Sequence, residues 1–432
     1  MARFNNSASA HTRGDQAVPV IVRLLSSEKT VLVVVLLITA IAVALGALSE
    51  NRALFDEDEA IYVRTIGLFK EDLSLELLRS YKGEPASPAP LFFIIYAWCG
   101  NIFGFSYPVF RGLSLVITLL TMLCLTVFLH KQALHEQRVF FPLLLFLFPY
   151  IFCMGFSVMA EPLTLLFTVL GLCCYLHGLE RQSNLALLIG SIAITAALYV
   201  RIHAIFAPVA LMIVLLSQKE RSVLRWCLAA TPILARVPLV FLQGGLTVSR
   251  EAFASTKPEL GLCLSNINFF FVWFGYIFFP LLWWCSGRRW VNLTVTIALI
   301  PFYVLATPNF LGTEHSGTLR SLFIQFGLTA TTAQWVSFSV WIIGCYITID
   351  LIQGIVVANH LREVFLGSCI VLFMASLVFS TVAFERYYQL VVPAVVLLGV
   401  SKTRRHSGYF AMATLHIFFL ALSTARLAMD LP

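Results

Sequence analysis

Four carboxylates in a row interrupt an otherwise apolar sequence at Phe-Asp-Glu-Asp-Glu-Ala-Ile-Tyr, residues 55–62. The chain is 59% hydrophobic and only 12% charged, so acidic residues are scarce and this cluster stands out. Like charges packed together raise at least one of their pKa values, which suits a general base. An acidic segment that merely flanks a membrane span is the alternative interpretation, so other residues must decide between the two.

Ionisable residues at the ends of predicted membrane spans form a second group of candidates. Such residues are costly in a membrane and usually have a partner or a role, although a helix-end anchor is the alternative. Carboxylates can take the proton of an acceptor hydroxyl, and arginines can bind a phosphate bidentately. This combination favours transfer from a phosphate-activated donor carried on a lipid. The candidates are Arg111, Glu161, Arg201 with His203, and Glu385 with Arg386.

The elements that must position these residues are membrane helices. Apolar runs of about 17–22 residues recur along the chain, as bilayer-spanning helices require. Backbone polar groups in lipid must be satisfied within each helix, so the fold class is predicted to be all-α and polytopic. The net charge of +7 falls mostly in short loops, where the positive-inside rule explains it without nucleic-acid binding.

The distribution of Lys and Arg predicts a topology of about 13 spans. Residues 1–29 would be a cytoplasmic tail and 30–432 a single transmembrane domain, whose external loop 49–110 carries part of the site. The segment 88–104 is predicted to be a shallow or re-entrant helix, because a full crossing there breaks the alternation. Alternatively it crosses and a later segment does not. All the candidate residues then fall on the external face.

Several motifs resemble those of the GT-C glycosyltransferases, which include the protein O-mannosyltransferases and the lipid A aminoarabinose transferases. Asp58-Glu59-Ala60-Ile61-Tyr62 is similar to their D-E-x-x-Y signature. The Pro-rich stretch 85–91 resembles their Pro-Pro-Leu element, and Phe103-Gly104 followed by Arg111 resembles their F-G…R spacing.

A more particular resemblance is to the dolichol-phosphate-glucose α-1,2-glucosyltransferase family. It is carried by four stretches in order, MAEPLTLLF, VRIHAIF, FLQGGLTVSREAF and FERYYQLVVP. The third stretch departs from that family after Arg250, and Tyr62 stands where that family often has a histidine. The resemblance therefore supports the GT-C class more strongly than any one member or sugar.

The resemblance implies roles for individual residues. Asp58 would be the catalytic base and Glu59 would orient it or a metal, with Asp56 as the rival base because FDEDE holds two Asp-Glu pairs. Glu161 matches the second acidic position of the class. The other residues implied to bind substrate are Arg111, Arg201, His203, Arg386, Glu385, Tyr62 and Lys82.

The implied reaction is an inverting displacement by which a sugar moves from a polyprenyl-phosphate donor to a lipid or glycolipid acceptor. A single base suffices because phosphate is a good leaving group, unlike the leaving group in glycoside hydrolysis. Mg²⁺ or Mn²⁺ at Asp58, Glu59 and Glu161 would be compatible with their oxygen ligands.

The distribution of charges is compatible with a bacterial inner membrane or with an endoplasmic reticulum membrane. A transporter or flippase of lipid-linked or anionic cargo is the competing hypothesis, and a non-catalytic membrane subunit is a third.

Overall fold

The computed structural model describes residues 56–80, 89–130, 141–142, 145–146, 148–243, 264–279, 289–308, 315–316, 323–324, 326–357, 360–379 and 383–402. These parts of the chain are almost entirely helical. The α-helices are α1 (Asp56–Glu71), α2 (Leu75–Ser80), α3 (Pro90–Phe103), α4 (Tyr107–His130), α5 (Pro149–Met154), α6 (Glu161–Arg181), α7 (Asn184–Leu198), α8 (Phe206–Ser217), α9 (Val223–Gln243), α10 (Ser265–Phe278), α11 (Arg289–Ala298), α12 (Ile300–Leu305), α13 (Ala330–Val357), α14 (Leu361–Ser376) and α15 (Val392–Lys402).

The prediction of an all-α, polytopic membrane protein is confirmed. Within the described residues, α4, α6, α9 and α13 are long and apolar enough to cross a membrane, and further apolar helices of 10–17 residues accompany them. The predicted first span at 30–48 and the last one near 409–428 lie outside the described residues. The total of about 13 spans therefore stays a prediction.

Glycines allow a close contact between α10 and α13. A Cβ on Gly275 would lie 2.2 Å from the carbonyl oxygen of Val340, and one on Gly344 would lie 1.8 Å from that of Phe271. Only glycine allows the two backbones to come this close, which increases their van der Waals contact in a setting where lipid supplies little hydrophobic driving force.

The antiparallel pair α6 and α7 brings two distant sequence motifs to the same end of the bundle. Helix α6 ends in a left-handed residue, Gln182 (φ 55°), and α7 begins behind Ser183, whose Oγ accepts the N–H of Ala186 at 3.3 Å. This tight connection reverses the chain. Glu161 at the start of α6 and Arg201 just after α7 consequently lie next to each other.

Helix α3 is too short for an upright span. Its 14 residues extend about 21 Å at 1.5 Å per residue, against a hydrocarbon core of roughly 30 Å. It ends at Gly104, whose φ of 103° favours glycine. The prediction that this segment is shallow or re-entrant is compatible with this length but stays a prediction.

Aromatic packing and two backbone hydrogen bonds hold α3 in place. Tyr62, Phe92, Phe93, Tyr96 and Phe110 form one buried cluster that joins α1, α3 and α4. The N–H of residue 89 donates to the carbonyl of residue 200 at 2.9 Å, and that of residue 91 to the carbonyl of residue 199 at 3.2 Å. The Pro-rich start of α3 is therefore attached to the chain directly before Arg201.

Two very short strands complete the described fold. Strand β1 (His315–Ser316) pairs in parallel with β2 (Ala383–Phe384), so that His315 is opposite Ala383. A 3-10 helix, Glu385–Leu390, follows β2 directly, and two others cover Ile202–Ile205 and Leu377–Phe379. The pairing brings residues 315–316 beside the start of the FERYYQLVVP motif.

Candidate functional site

A buried ion pair joins α1 to α4. Arg111 donates from Nε to Oε1 of Glu59 at 3.0 Å and from Nη2 to Oε2 at 2.9 Å, and both side chains are at most 3% exposed. The backbone N–H of Val158 donates to Oε1 of Glu59 at 2.9 Å. Both oxygens of Glu59 are thus engaged in a bidentate, charge-assisted arrangement, which is geometrically specific as well as strong.

A second ion pair lies between Arg201 and Glu161. Arg201 donates from Nη2 to Oε1 of Glu161 at 2.8 Å and to the hydroxyl oxygen of Tyr62 at 3.0 Å. Glu161 is the first residue of α6, where the partial positive charge of the helix N-terminus favours a carboxylate. Arg201 retains 10% of its side-chain exposure, so this residue lies at the edge of the buried region.

Helix α1 connects the two ion pairs. Glu59 and Tyr62 are three residues apart and therefore neighbours on the helix surface. Glu59 belongs to the first pair, and Tyr62 accepts a hydrogen bond from Arg201 of the second. The loop 155–160 connects them as well, because Val158 binds Glu59 and the loop leads into Glu161.

The aromatic ring of Tyr387 packs beside the second pair. The guanidinium carbon of Arg201 lies 5.3 Å from the centroid of the Tyr387 ring, within the range of a cation–π contact. The His203 ring lies 5.1 Å from the same ring at an interplanar angle of 32°. Tyr387 belongs to the 3-10 helix that begins with Glu385 and Arg386, so the backbone of the FERYY motif reaches the site.

The two candidate bases lie in the first turn of α1, which begins at Asp56. Position 58 is four residues before Tyr62 and therefore one turn away on the same face of the helix. The side chains of residues 56–58 are outside the described part of the structure. Their assignment as catalytic base and rival base stays a prediction.

The carboxylates that the structure describes here do not suit a metal ion. Glu59 accepts three hydrogen bonds, two of them from a guanidinium, and Oε1 of Glu161 is paired with Arg201. A divalent ion would have to displace these arginines and would meet their positive charge. Among the described residues, no group of three or more His, Cys, Asp or Glu is placed to hold a metal. The predicted Mg²⁺ or Mn²⁺ stays a prediction, because the side chain of Asp58 lies outside the described residues.

Six of the residues singled out from the sequence lie together around these two pairs. They are Glu59, Tyr62, Arg111, Glu161, Arg201 and His203. For Asp56, Asp58, Glu385 and Arg386 the structure gives the backbone position alone, and Lys82 lies outside the described residues.

Sequence reasoning missed two contributors to the site. Tyr387 belongs to the FERYY motif quoted above, so the position of this tyrosine in the motif could have marked it as a candidate. The backbone N–H of Val158 could not be found in this way, because a main-chain donor leaves no mark on residue type.

Comparison with protein-family models and with curated proteins gives no match. Among solved structures, ArnT from Cupriavidus metallidurans in the apo state is similar at 15% identity, over 89% of this chain and 76% of that chain, with a TM-score of 0.40. The same protein bound to undecaprenyl phosphate is similar at 13% identity, over 90% of this chain and 78% of that chain, with a TM-score of 0.42. Both are distant from this chain in sequence and in shape.

Proposed function

We propose that this protein is a membrane glycosyltransferase of the GT-C type. It would move a sugar from a polyprenyl-phosphate donor to a lipid-linked or glycan acceptor at the external or lumenal face. The observation that carries the proposal is the meeting of two carboxylate–arginine pairs, Glu59–Arg111 and Glu161–Arg201, around α1. The first turn of that helix holds the acidic residues that resemble the class signature.

The Glu59–Arg111 pair has a positioning role in this proposal. Glu59 accepts hydrogen bonds from α4 and from the loop before α6, so it fixes the start of α1 against both. Both of its oxygens are already engaged by protein donors, so an acceptor hydroxyl would have to displace one of them. The base is consequently assigned to Asp58, with Asp56 as the rival. Arg111, first expected to bind the donor phosphate, is proposed here to orient Glu59.

Arg201 and His203 are proposed to bind the donor phosphate. Glu161 and Tyr62 orient the Arg201 guanidinium through two hydrogen bonds, and the Tyr387 ring packs against both Arg201 and His203. A guanidinium presents five N–H donors in a plane and keeps its charge, which suits phosphate recognition. Arg386, Glu385 and Lys82 are proposed as further substrate-binding residues on the sequence motifs alone.

The proposed reaction is a single displacement. Asp58 takes the proton of the acceptor hydroxyl, and the hydroxyl oxygen attacks the anomeric carbon of the donor sugar. The bond between that carbon and the phosphate oxygen breaks, and its electron pair leaves with the phosphate. Arg201 stabilises the charge that develops on the leaving group. One displacement at one carbon inverts the anomeric configuration.

The cellular setting follows from the same features. The distribution of Lys and Arg in the short loops predicts that the site faces away from the cytoplasm. Donors on that side must arrive on a lipid carrier, because nucleotide sugars are cytoplasmic. A bacterial inner membrane is the proposed location, with an endoplasmic reticulum membrane as the alternative.

A transporter or flippase of anionic lipid-linked cargo remains the second candidate. A transporter places its key charges near the middle of the membrane, on helices that change access. Here the ion-pair residues are the first residue of α6, one residue within the first five of α1 and one within the first five of α4, and the third residue after the end of α7. Charges at helix ends favour surface chemistry over transport.

The test is sugar transfer by purified protein from a panel of radiolabelled polyprenyl-phosphate sugars to extracted lipids. Asp58→Asn should abolish transfer while the fold remains intact. Glu71→Gln is the matched control, because Glu71 is an exposed acid at the other end of α1 and its substitution should leave transfer unchanged. Full activity in Asp58→Asn would reject Asp58 and make Asp56→Asn the next variant. Failure of the wild type with every donor would reject the proposed function.

A further inference from the structure

Two hydrogen-bond donors are buried without an acceptor near the candidate site. The indole N–H of Trp273 on α10 is fully buried, and the side-chain amide of Gln389 is 1% exposed. Within the described part of the chain, neither the Trp273 Nε1 nor the Gln389 Nε2 has a hydrogen-bond partner. Buried donors of this kind are rare because they lose their hydrogen bonds with water and gain none in return. They therefore point to a ligand that supplies acceptors.

A chain of contacts connects these donors to the Arg201–Glu161 pair. Tyr387 lies against Arg201, and the next residue, Tyr388, has its ring 4.6 Å from that of Trp273. Gln389 follows Tyr388 directly on the same 3-10 helix. Trp273 therefore packs against the residue that follows Tyr387, and Gln389 is the next residue along the chain.

A third buried polar group lies on α6. The Thr168 hydroxyl is fully buried and has no hydrogen-bond partner in the described residues. Thr168 comes seven residues after Glu161, which places it about 10 Å further along the helix. Helix α6 and the Glu385–Leu390 helix pack against each other, so this hydroxyl and the Gln389 amide belong to neighbouring elements.

The aromatic surroundings of Trp273 favour a neutral ligand. Phe270 and Phe148 have their ring centroids 5.8 Å and 6.0 Å from that of Trp273. Aromatic faces carry negative charge density and disfavour an anion. A sugar ring fits both features, because its hydroxyl oxygens accept hydrogen bonds while its C–H faces pack on aromatic rings.

We propose that Trp273 and Gln389 form a sugar-recognition subsite, in which their N–H groups donate to hydroxyl oxygens of the donor's sugar ring. Thr168 lines the same subsite from α6. The inference rests on the proposed function and deepens it, since it assigns specificity for the sugar to residues separate from those that bind the phosphate. Because both donors are buried, entry of the sugar ring requires the Glu385–Leu390 segment to shift. This segment is a 3-10 helix, whose hydrogen-bond geometry is poorer than that of an α-helix, so a shift costs less there.

The experiment compares the binding of two lipids by the full-length protein in detergent. One lipid is a polyprenyl phosphate that carries a sugar, and the other is the same polyprenyl phosphate without it. Gln389→Met removes a donor with little change in length, whereas Trp273→Phe removes a donor together with part of the ring. Trp341→Phe is the matched control, because Trp341 is equally buried but its Nε1 donates to Oδ1 of Asn268 at 2.9 Å.

The expected result is a roughly tenfold weaker affinity for the sugar-bearing lipid in Trp273→Phe and in Gln389→Met, with unchanged affinity for the sugar-free lipid. Trp341→Phe should lower thermal stability without changing the ratio of the two affinities. Wild-type ratios in both test variants would overturn the subsite, as would equal weakening of both lipids. A wild type that transfers sugar while both variants keep the wild-type ratio would refute the subsite alone. Absence of binding and transfer in the wild type would refute the proposed function and the subsite with it.

Discussion

Replacing Glu59 with leucine should destabilise the protein strongly, because the carboxylate accepts three hydrogen bonds in a region closed to solvent. Glu59 is 0% exposed and Arg111 is 3% exposed. Removal of one partner from a buried ion pair costs about 3–5 kcal/mol, since the remaining charge loses its counter-charge without gaining water. Arg111→Met should cost a similar amount for the same reason.

The double variant distinguishes a true pair from two unrelated effects. Replacing both partners of a buried pair with apolar residues of similar volume is often close to neutral. Glu59→Leu combined with Arg111→Met should therefore be less destabilised than the sum of the single variants by about 3 kcal/mol or more. The measurement is equilibrium unfolding in detergent micelles, followed by circular dichroism.

The chain supplies its own control in the pair Glu180–Arg362. Its N–O distance of 2.6 Å is shorter than the 2.9 Å of the Glu59–Arg111 pair, but its side chains are 31% and 17% exposed. Exposure decides the outcome, so this pair should contribute only about 0–1 kcal/mol. Additive effects at Glu59 and Arg111, or equal coupling in both pairs, would refute this reasoning.

Three further predictions concern stability elsewhere in the chain. Gly344→Ala should markedly lower the thermal unfolding temperature, because its Cβ would overlap a backbone carbonyl of the neighbouring helix. The control Gly112→Ala should leave that temperature unchanged or slightly higher, because a Cβ there would meet nothing within 4 Å. Ser183→Ala should cost about 1 kcal/mol by removing the N-cap of α7, and Ser183→Asp should restore most of it. The pKa of Glu220 is held below its ordinary 4.5 by the backbone N–H of Ser222 and by Arg225. The ionised carboxylate therefore stabilises the fold above pH 4.5, and this stabilisation is lost as the pH falls through the lowered pKa. Glu220→Gln should accordingly be less stable than the wild type at pH 7, and the difference should vanish in strong acid.

Hydrophobic patterning was enough to predict the membrane-helical fold, because the requirement to satisfy backbone groups in lipid leaves few alternatives. The charged residues of the site were also accessible from the sequence. An Arg or Glu at the end of an apolar helix is expensive enough that it usually has a partner, and Arg201 and Glu161 do pair.

The sequence did not show which charges pair with which. Arg111 was expected to bind phosphate, but it holds Glu59, 52 residues away. That pairing depends on how α1 and α4 pack, which is a tertiary property. The contact of Tyr387 with Arg201 and His203 depends likewise on the return of the chain some 180 residues later, and neither spacing nor periodicity encodes it.

The central claim is tested most directly by following an isotopically labelled polyprenyl-phosphate sugar in liposomes that contain the purified protein and an acceptor lipid. Mass spectrometry then measures where the label resides. The proposed function predicts that labelled sugar appears on the acceptor in the same amount as sugar-free polyprenyl phosphate is formed, and that Arg201→Met suppresses both. An intact labelled donor that merely changes from one leaflet to the other would contradict the claim and establish a transporter instead.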